Sequence, residues 1–373
     1  MKIAILKERR DGETRVAATP GSVKKLVADG HEVQVEKGAG AAASLPDDLF
    51  ESAGAKLGTL AATLKGVDAV YAVRTPDAET LAKLPKGCLL VGLLEPHGDK
   101  AQAEALAAAG VNALAMEFTP RITRAQAMDA LSSQSNLSGY RAVIEASQIY
   151  RRAFPMMMTA AGTVAAAKAF VMGAGVAGLQ AIATARRLGA VVTATDVRPA
   201  AKEQVASLGA KFVAVEDEEF KAAETAGGYA KEMSKEYQAK QAELVASHIA
   251  KQDVVVTTAL IPGRPAPKLI TKAMVEAMKP GSVIVDIAAP MGGNCELTRV
   301  DEIVEHNGVS IAGFSNLPGR LAADASSLYA RNLVNLTPLL VSEDGGLAPH
   351  WDDEIIVGMT LTRDGKVVHE TLK

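Results

Sequence analysis

Residues 169–198 of this chain read AFVMGAGVAGLQAIATARRLGAVVTATDVR. An apolar run leads into three glycines spaced as GxGxxG, at Gly173, Gly175 and Gly178. A helical pattern follows, and a second apolar run ends at Asp196, close to the spacing of about 20 residues found in dinucleotide-binding units. A GxGxxG alone is a weak signal, but the strand, helix and acid together predict a βαβ unit that binds a dinucleotide.

The three glycines have separate roles in such a unit. Gly173 permits a tight turn, Gly175 leaves room for a pyrophosphate beside the helix N-terminus, and Gly178 lets the helix pack closely on the strand. Asp196 is expected to accept hydrogen bonds from ribose hydroxyls and to repel a 2′-phosphate, which favours NAD over NADP. Arg198 weakens this preference slightly. The alternative is a glycine-rich turn that binds nothing.

Strands and amphipathic helices alternate on both sides of this stretch, which is typical of mostly parallel sheets with helices on both faces. We therefore expect an α/β chain with two doubly wound, Rossmann-like domains. The first is predicted to comprise residues 1–131 and 323–373, because a dinucleotide domain is already complete without the last segment. The second is predicted to comprise residues 132–322.

Apolar periodicity also predicts the individual elements. Strands are predicted at Lys2–Leu6, Glu32–Val35, Ala69–Val73, Cys88–Leu94, Ala113–Met116, Ala169–Met172, Val191–Thr195, Asp253–Thr258, Val283–Asp286 and Val309–Ala312, with two more around Asp364-Gly365. Helices are predicted at Ser22–Asp29, Asp47–Gly54, Ala101–Ala109, 124–150, Val176–Leu188 and from about Ala323 onward.

Residues 216–251 form a polar insertion, rich in acids and lysines, within the second predicted domain. Ordinary connections in such folds are only about 2 to 6 residues long. A polar insertion of this size beside a cofactor turn is a candidate lid over bound nucleotide. The alternative is a solvated helical hairpin.

Composition excludes several classes of protein. The 373 residues include 40 lysines and arginines and 43 acidic residues, which gives a formal net charge of −3. This balance gives no reason to expect nucleic acid or an anionic membrane as a partner. The two cysteines, Cys88 and Cys295, are too few for a disulfide framework or a structural zinc site, and no metal site is predicted.

One largely apolar stretch, residues 155–186, is long enough to be tested as a membrane span. A proline, Lys168 and several glycines interrupt it, so we expect two buried elements and no membrane insertion. Met156–Met158, at its start, is interpreted as flexible core packing, although such side chains would also suit a flat ring.

The sequence shows no self-contained acid–base machinery. It has no HExxH, no defensible Ser–His–Asp order and no paired carboxylates in a plausible cleft. His31, in the turn DGHEV, is interpreted as a surface residue, and His97 stays ambiguous.

Several segments resemble a single family, that of alanine dehydrogenase and of the NAD-binding domain I of proton-translocating nicotinamide nucleotide transhydrogenase. The resemblance covers nearly the whole chain. It is carried by KERRDGETRVAATP (7–20), GHEVQVEKGAG (30–40), VMGAGVAGLQAIATARRLGA (171–190), MKPGSVIVDIA (278–288) and GGNCELT (292–298).

The alanine dehydrogenase branch uses an Arg, a Lys, a His and an Asp on its amino-acid substrate. By resemblance these positions fall here on Arg15, Arg74, Glu95 and Pro290. Proline cannot move a proton and a carboxylate replaces imidazole poorly, whereas oxidative deamination needs a positioned acid or base. Alanine dehydrogenase is therefore the second hypothesis, and a catalytically silent NAD-binding module is the third.

The transhydrogenase branch is favoured by longer motifs. PRITRAQAMDALSSQSN (120–136) resembles its loop around an Arg-Gln-Asp set, which here is Arg121, Gln126 and Asp129. ETAGGYAKEM (224–233) resembles its mobile loop, so the resemblance favours a lid for the insertion. FPMMMTAAGT (154–163) and TTALIPGRPAP (257–267) also resemble this branch.

The resemblance implies a role for each matching residue. Arg121 and Asp129 would position the nicotinamide carboxamide region, Ser132 would support the carboxamide, and Gln126 would reach the partner's nicotinamide ribose. The alternative for Arg121 and Asp129 is a simple ion pair. Further nucleotide contacts would come from residues beside the glycine turn and on the lid, namely Val176, Val197, Arg198, Gly228, Tyr229 and Leu260.

The same resemblance implies an assembly. This chain would be a subunit of a transhydrogenase of the Si-/Re-specific type, with NAD(H) bound here and NADP on a domain III partner. The membrane domain II would also be a separate chain. The subunit is expected to be a homodimer in the cytoplasm, peripheral on the cytoplasmic face of the inner membrane through its partner subunits.

Overall fold

The computed structural model describes residues 1–97, 100–222, 233–261 and 263–372. They divide into two compact units, which we call unit 1 (residues 1–134 and 318–373) and unit 2 (residues 135–317). The divisions therefore fall at 134/135 and 317/318, where the sequence predicts 131/132 and 322/323.

In chain order, the strands of these residues are β1 (Lys2–Ile5), β2 (Glu32–Glu36), β3 (Lys56–Gly58), β4 (Ala69–Arg74), β5 (Leu89–Leu93), β6 (Asn112–Ala115), β7 (Met157–Thr159), β8 (Gly162–Val164), β9 (Lys168–Met172), β10 (Val191–Thr195), β11 (Lys211–Phe212), β12 (Val254–Thr257), β13 (Val283–Asp286), β14 (Ile303–His306), β15 (Val309–Ala312), β16 (Thr360–Arg363) and β17 (Lys366–Val367).

The helices in the same ranges are α1 (Pro20–Ala28), α2 (Asp47–Ser52), α3 (Leu60–Thr63), α4 (Ala78–Leu81), α5 (Lys100–Ala108), α6 (Ala130–Ile149), α7 (Val176–Arg187), α8 (Ala201–Ser207), α9 (Glu218–Lys221), α10 (Lys235–Ile249), α11 (Lys272–Glu276), α12 (Ala322–Leu336) and α13 (Glu354–Met359). Short 3-10 segments cover Ala41–Ala43, Met116–Phe118, Thr123–Met128, Ala289–Met291, Pro318–Leu321, Thr337–Leu340 and Glu370–Leu372.

Unit 1 is built on one sheet with the order β17-β16-β6-β5-β4-β1-β2-β3. Its strands are parallel except for β16 and β17, which run antiparallel to their neighbours. The chain leaves β1 toward one edge and later returns through β4 toward the other, so the topological switch point lies between β1 and β4.

Alternation along each strand of unit 1 separates two apolar clusters, one on each face of the sheet. Ile3 and Ile5 belong to one cluster, whereas Ala4 belongs to the other. Tyr329 and Leu333 of α12 join the first cluster. The C-terminal segment therefore supplies part of the core of unit 1.

Unit 2 has a sheet with the order β11-β10-β9-β12-β13-β15-β14, in which only β14 is antiparallel to its neighbour. The switch point lies between β9 and β12, which pair in parallel from Ala169↔Val254 to Met172↔Thr257. Helices cover both faces of the sheet, with α7 among them. Two doubly wound, mostly parallel α/β units are therefore present, and the predicted fold class is confirmed.

The predicted insertion at 216–251 is only partly an insertion. Helix α10 takes up much of it and buries Val245 and Ile249 in the same apolar cluster as Phe170 of β9. This helix is the crossover that returns the chain to β12. The polar composition of the helix does not indicate this role, because only one narrow face of the helix reaches the core.

The helix predicted at 124–150 is interrupted. Residues 123–128 form a 3-10 segment and the α-helix begins at Ala130. The cause is Asp129, whose carboxylate accepts hydrogen bonds from the backbone N–H of Ser132 at 2.8 Å and from its hydroxyl at 2.5 Å. A carboxylate three residues before a helical N–H marks a helix start.

The interpretation of Met156–Met158 as core packing is wrong. Strands β7 and β8 pair with each other in a hairpin outside both large sheets, and the three methionines are 62%, 43% and 79% exposed. Within the described ranges, no helix is long and apolar enough to cross a membrane.

Candidate functional site

The glycine turn after β9 has the backbone geometry that the sequence predicts. Gly173 has φ +104°, a conformation that side chains other than glycine rarely adopt. Its N–H donates to the carbonyl of Thr195 at 2.8 Å, and its carbonyl accepts from the hydroxyl of Thr258 at 3.2 Å. The turn is therefore tied to the ends of both neighbouring strands, β10 and β12.

Gly178 and Gly175 meet different surroundings. A Cβ atom at Gly178 would lie 1.8 Å from the carbonyl oxygen of Gly173, so glycine is required there for helix α7 to reach the turn. A Cβ atom at Gly175 would have nothing within 4 Å. The chain itself therefore does not need a glycine at 175.

The open space at Gly175 lies at the start of α7. The first turn of a helix has N–H groups without intrahelical acceptors, and it attracts negative charge. Gly175 is the N-cap residue and makes no side-chain cap. The cradle formed by Gly173, Gly175 and Gly178 therefore fits an anionic group such as a pyrophosphate.

Asp196 lies beside this cradle with its side chain 7% exposed. Its carboxylate accepts from the N–H of Ala174 at 2.7 Å. It also accepts from the backbone N–H and Nε of Arg198, both at 2.9 Å, and from Nη2 at 3.0 Å. These hydrogen bonds raise the pKa of Arg198. Ribose hydroxyls would thus meet a carboxylate already paired with arginine, which lessens its repulsion of a 2′-phosphate.

Exposed apolar side chains follow the carboxyl ends of the central strands of unit 2. The sequence predicted three of them, Val176, Val197 and Leu260, which are 42%, 57% and 49% exposed. It missed Ile261 and Met291, which are 45% and 38% exposed. The signal available in the sequence was an apolar residue within about five positions after a predicted strand end. Such side chains suit the flat, apolar faces of nucleotide rings.

Asn294 was also missed, and it holds the Leu260 segment in place. The side chain is fully buried. Its Oδ1 accepts from the N–H of Ala259 at 3.0 Å, while its Nδ2 donates to the carbonyls of Ala259 and Pro267 at 2.8 and 2.9 Å. Apart from the GGNCELT resemblance, nothing in the sequence signals these contacts.

The residues predicted to act on the nicotinamide lie in unit 1. Arg121 and Gln126 are exposed, whereas Asp129 and Ser132 are half-buried and joined by the hydrogen bonds that start α6. The predicted lid residues Gly228 and Tyr229 lie outside the described residues.

The C-terminal part of unit 1 holds the segment that carries Gln126. The guanidinium of Arg124 makes hydrogen bonds of 2.7 and 3.0 Å with the carboxylate of Asp353. The carbonyl of Ala127 accepts from Asn332 at 2.9 Å and from Asn335 at 3.0 Å. Helices α12 and α13 thereby position this segment.

Arg15 and Arg74 share a carboxylate of the chain itself. The guanidinium of Arg15, only 2% exposed, lies 2.7 Å from Glu13, and Arg74 Nε lies 3.1 Å from the same carboxylate. Burial alone would raise the pKa of Glu13, but the hydrogen bonds and charge of Arg15 and the charge of Arg74 lower it to about 2. Pro290 lies in the 3-10 segment Ala289–Met291 and supplies no acid.

The two histidines singled out in the sequence are not catalytic candidates here. His31 is 8% exposed, so its interpretation as a surface residue is wrong. Burial lowers its pKa, and among the described residues its Nδ1 has no hydrogen-bond partner. His97 packs edge-on against Phe118 with the ring centroids 4.9 Å apart.

Two other carboxylates cap strand ends in unit 1. Glu8 accepts from the N–H of Val73 at 2.6 Å, and Glu117 accepts from the N–H groups of Leu94 and Glu95 at 3.0 and 2.7 Å. Burial raises the pKa of both carboxyls from 4.5 to about 7.

These pKa values predict a pH dependence of stability. Between about pH 4.5 and 7 the folded protein binds protons at Glu8 that the unfolded chain has released, so the free energy of unfolding falls as pH rises. Glu8→Gln cannot titrate. The stability of the unchanged protein relative to this variant should therefore fall by about 1 to 3 kcal/mol between about pH 4 and pH 8.

Urea unfolding at several pH values measures this difference. Glu104→Gln, at an exposed position of α5, is the matched control and should leave the pH dependence as it is. Equal pH dependence in the Glu8 variant and the unchanged protein would contradict the assignment.

Comparison with known proteins gives matches along nearly the whole chain. The family described as alanine dehydrogenase/PNT, N-terminal domain, matches residues 4–138, and the corresponding C-terminal domain family matches residues 142–370. The first part of NAD(P) transhydrogenase subunit alpha of Rhodospirillum rubrum is 55% identical over an alignment that covers 100% of this chain and 99% of that protein.

A solved structure of transhydrogenase from Sinorhizobium meliloti superposes with a TM-score of 0.91 at 54% identity, covering 99% of this chain and 100% of that one. Alanine dehydrogenase of Bacillus subtilis is more distant. It is 29% identical over 100% of this chain and 94% of that protein.

Proposed function

The chain belongs to the alanine dehydrogenase/PNT family and is similar along its whole length to the first part of NAD(P) transhydrogenase subunit alpha, and from this premise we propose that it is the NAD(H)-binding subunit of a proton-translocating transhydrogenase. In this role the chain presents NADH to NADP bound on a partner domain III, and hydride passes directly between the two nucleotides. A separate membrane domain couples the transfer to proton translocation.

The observation that carries the proposal is the cradle at the start of α7. Only glycine fits at position 178, Gly175 leaves the helix N-terminus open, and Asp196 lies at hydrogen-bond distance from the N–H of Ala174. These features support a bound dinucleotide, with NAD preferred because Asp196 accepts from ribose hydroxyls.

Transhydrogenation is supported over amino-acid oxidation by the polar groups of unit 1. Arg15 and Arg74 are engaged by Glu13, and a proline occupies position 290. A reaction that abstracts a proton from its substrate needs a positioned base. Hydride transfer between two nicotinamides needs none, because only the hydride moves.

When bound, a reduced nicotinamide supplies the hydride from its C4 atom. The residues of the chain bind the nucleotide, orient its nicotinamide ring and exclude water. The N–H groups at the start of α7 bind the pyrophosphate, and the exposed apolar side chains beside them shield the rings. Holding two reactants in the correct geometry contributes up to about 7–11 kcal/mol in well-oriented systems.

For the residues of unit 1 we propose the roles that the resemblance implies. Arg121 and Asp129 position the carboxamide region of the nicotinamide, with Ser132 in support. Gln126 contacts the nicotinamide ribose of the partner's nucleotide, and its exposure is consistent with contact to another chain. Gly228 and Tyr229 are proposed to close over bound nucleotide.

Partner-dependent hydride transfer tests this function. Stopped-flow mixing would combine the chain, loaded with the oxidised acetylpyridine analogue of NAD, with a domain III partner loaded with NADPH. We expect rapid reduction of the analogue only when both proteins are present. NADH should bind to the chain much more tightly than NADPH.

Two controls separate the competing functions. Turnover with pyruvate, ammonia and NADH would instead indicate alanine dehydrogenase activity. NADH binding without transfer to any domain III would indicate a silent binding module.

We also propose that the subunit is a homodimer in the cytoplasm, peripheral to the inner membrane through its partner subunits. The hairpin β7–β8 supports self-association, since residues 153–167 carry no charged side chain and the methionines are exposed. Two copies of an uncharged patch do not repel each other. A two-stranded hairpin is only marginally stable alone, so contact with a second copy would stabilise it.

Met158→Glu is therefore expected to weaken dimerisation by about tenfold or more, since it buries a charge in the interface. Sedimentation velocity over a dilution series measures the dissociation. Val357→Glu, at a 56% exposed valine of α13, is the matched control. Equal dissociation of both variants, or a dimer unaffected by Met158→Glu, would remove the hairpin from the interface.

A further inference from the structure

Two loops at the carboxyl ends of β12 and β13 carry exposed apolar side chains beside the glycine turn of unit 2. The first loop carries Leu260 and Ile261, and the second carries Met291. The N–H of Ala266 in the first loop donates to the carbonyl of Met291 in the second at 2.8 Å. These four residues therefore belong to a single surface, which we call the two-loop platform.

Asn294, whose side chain is fully buried, holds the first loop to the second. Its amide binds both backbone groups of Ala259, accepting from the N–H at 3.0 Å and donating to the carbonyl at 2.8 Å. It also donates to the carbonyl of Pro267 at 2.9 Å. An asparagine amide offers an acceptor together with two donors, whereas an ionised aspartate of the same length offers no donor. The contact therefore needs the amide and not merely a polar side chain.

The second loop is in turn fixed to the sheet by Asp286. This fully buried carboxylate accepts from the hydroxyl of Thr257 at 2.9 Å, from the N–H of Cys295 at 3.0 Å and from the hydroxyl of Thr298 at 2.6 Å. Thr257 and Asp286 are the last residues of β12 and β13. Because Cys295 directly follows Asn294, the strand ends determine where the Asn294 amide lies.

The two-loop platform and Asp196 lie on opposite sides of the switch point of this sheet. Asp196 follows β10, whereas the platform follows β12 and β13, and β9 runs between the two sides. A dinucleotide bound across a switch point places one half on each side, with a ribose of one half at the acid. With the adenosine half at Asp196, the nicotinamide half would lie against the platform.

We propose that Asn294 is a positioning residue for the nicotinamide half of the bound nucleotide, and that it acts through the two-loop platform. Because its amide is fully buried, it acts on the loops and does not touch the nucleotide. The inference rests on the proposed function and adds a determinant of nucleotide binding to it. Loss of the amide should disturb the nicotinamide side of the site and leave the adenosine side unchanged.

The variant Asn294→Ala tests the proposal with two ligands. Isothermal titration of the full chain should show that NADH binds about tenfold or more weakly than to the unchanged protein. ADP, which has the adenosine half and the pyrophosphate but no nicotinamide, should bind with unchanged affinity. A general loss of structure would instead weaken the binding of both ligands.

The variant Asn294→Asp adds a readout that a purely structural role would not produce. An ionised aspartate has no donor for the two carbonyls, whereas a protonated one donates through its hydroxyl and still accepts from Ala259. Burial raises the pKa of a carboxyl group. Relative to the unchanged protein, NADH affinity of this variant should therefore rise by about threefold or more from pH 8 to pH 6. ADP affinity should not follow.

Two further variants make the result specific. Gln252→Ala is the matched control, because Gln252 is 4% exposed, lies at the opposite end of β12 and donates to the carbonyl of His248 at 3.0 Å. It should lose stability and bind both ligands normally. If melting curves show that the Asn294 variants do not fold, Thr298→Val decides, because it removes one hydrogen bond to Asp286. It should weaken NADH binding alone, by about threefold or more.

The proposal is overturned if the folded variants bind NADH as the unchanged protein does, or if NADH and ADP affinities fall in parallel. It is also overturned if Gln252→Ala gives the same selective loss, or if Asn294→Asp shows no recovery at low pH. NADH binding by the unchanged protein reports separately on the proposed function. Its absence would contradict that function, whereas normal binding by every variant would contradict only the role of Asn294.

Discussion

Gly175→Ala is expected to lower the affinity for NADH by about tenfold or more, equivalent to about 1.4 kcal/mol, without a measurable loss of stability. The added methyl group meets no atom of the chain within 4 Å. It would occupy the space through which the pyrophosphate of the proposed nucleotide approaches the N-terminus of α7. Nucleotide binding and folding are therefore separable at this position.

Gly178→Ala should behave differently, because its methyl group would lie 1.8 Å from the carbonyl oxygen of Gly173. The helix or the turn must shift, so we expect both a lower melting temperature and a loss of NADH binding, with a cost in stability of about 2 kcal/mol or more.

Melting curves and NADH fluorescence titrations of the two variants measure these effects. Gly21→Ala, where a Cβ atom would meet only the Thr19 hydroxyl at 3.9 Å, is the control for a harmless glycine replacement. If Gly175→Ala bound NADH normally, the pyrophosphate could not lie against this helix terminus. If Gly178→Ala were fully stable, the close approach of α7 would not be required.

Gln126→Asn is expected to slow hydride transfer to the partner by about tenfold or more while NADH affinity changes little. If Gln126 contacts the partner's nucleotide as proposed, shortening its side chain by one methylene group withdraws the amide from that contact. An interaction made across the docked complex affects transfer and leaves binding to the isolated chain unchanged. The backbone at this position is held by α12 and α13, so the substitution should not disturb the segment.

Stopped-flow transfer and a separate NADH titration measure the two quantities. Gln148→Asn, at an exposed position of α6, is the matched control and should alter neither. A parallel fall in transfer and in NADH affinity would assign Gln126 to nucleotide binding on this chain. No change in either would remove it from the site.

Local patterns predicted much of the fold. The strands of both sheets alternate or run continuously apolar, and the glycines and Asp196 lie within one contiguous stretch. Each requirement there is local: a positive φ at Gly173, no Cβ atom at Gly178 and a strand end before Asp196. Such features are visible in a sequence because they depend on near neighbours.

Predictions from sequence patterns were wrong where burial or pairing depends on distant parts of the chain. Met156–Met158 has the composition of core residues, yet the three side chains are 62%, 43% and 79% exposed. Helix α10 has the composition of a solvated hairpin, yet its narrow apolar face packs on β9. The hydrophobicity of a side chain determines whether its burial is favourable, whereas the topology of the fold determines whether another element covers it.

The sequence alone determined the doubly wound architecture and the dinucleotide cradle, because both follow from periodicity and from short-range backbone geometry. Only the tertiary structure decided which polar groups meet. Asn294 holds Ala259 from 35 residues away, Glu95 engages Arg10 from 85 residues away, and Asn332 supports Ala127 from 205 residues away. No spacing in the sequence encodes these pairs, since each forms only when folding brings distant segments of the chain into contact.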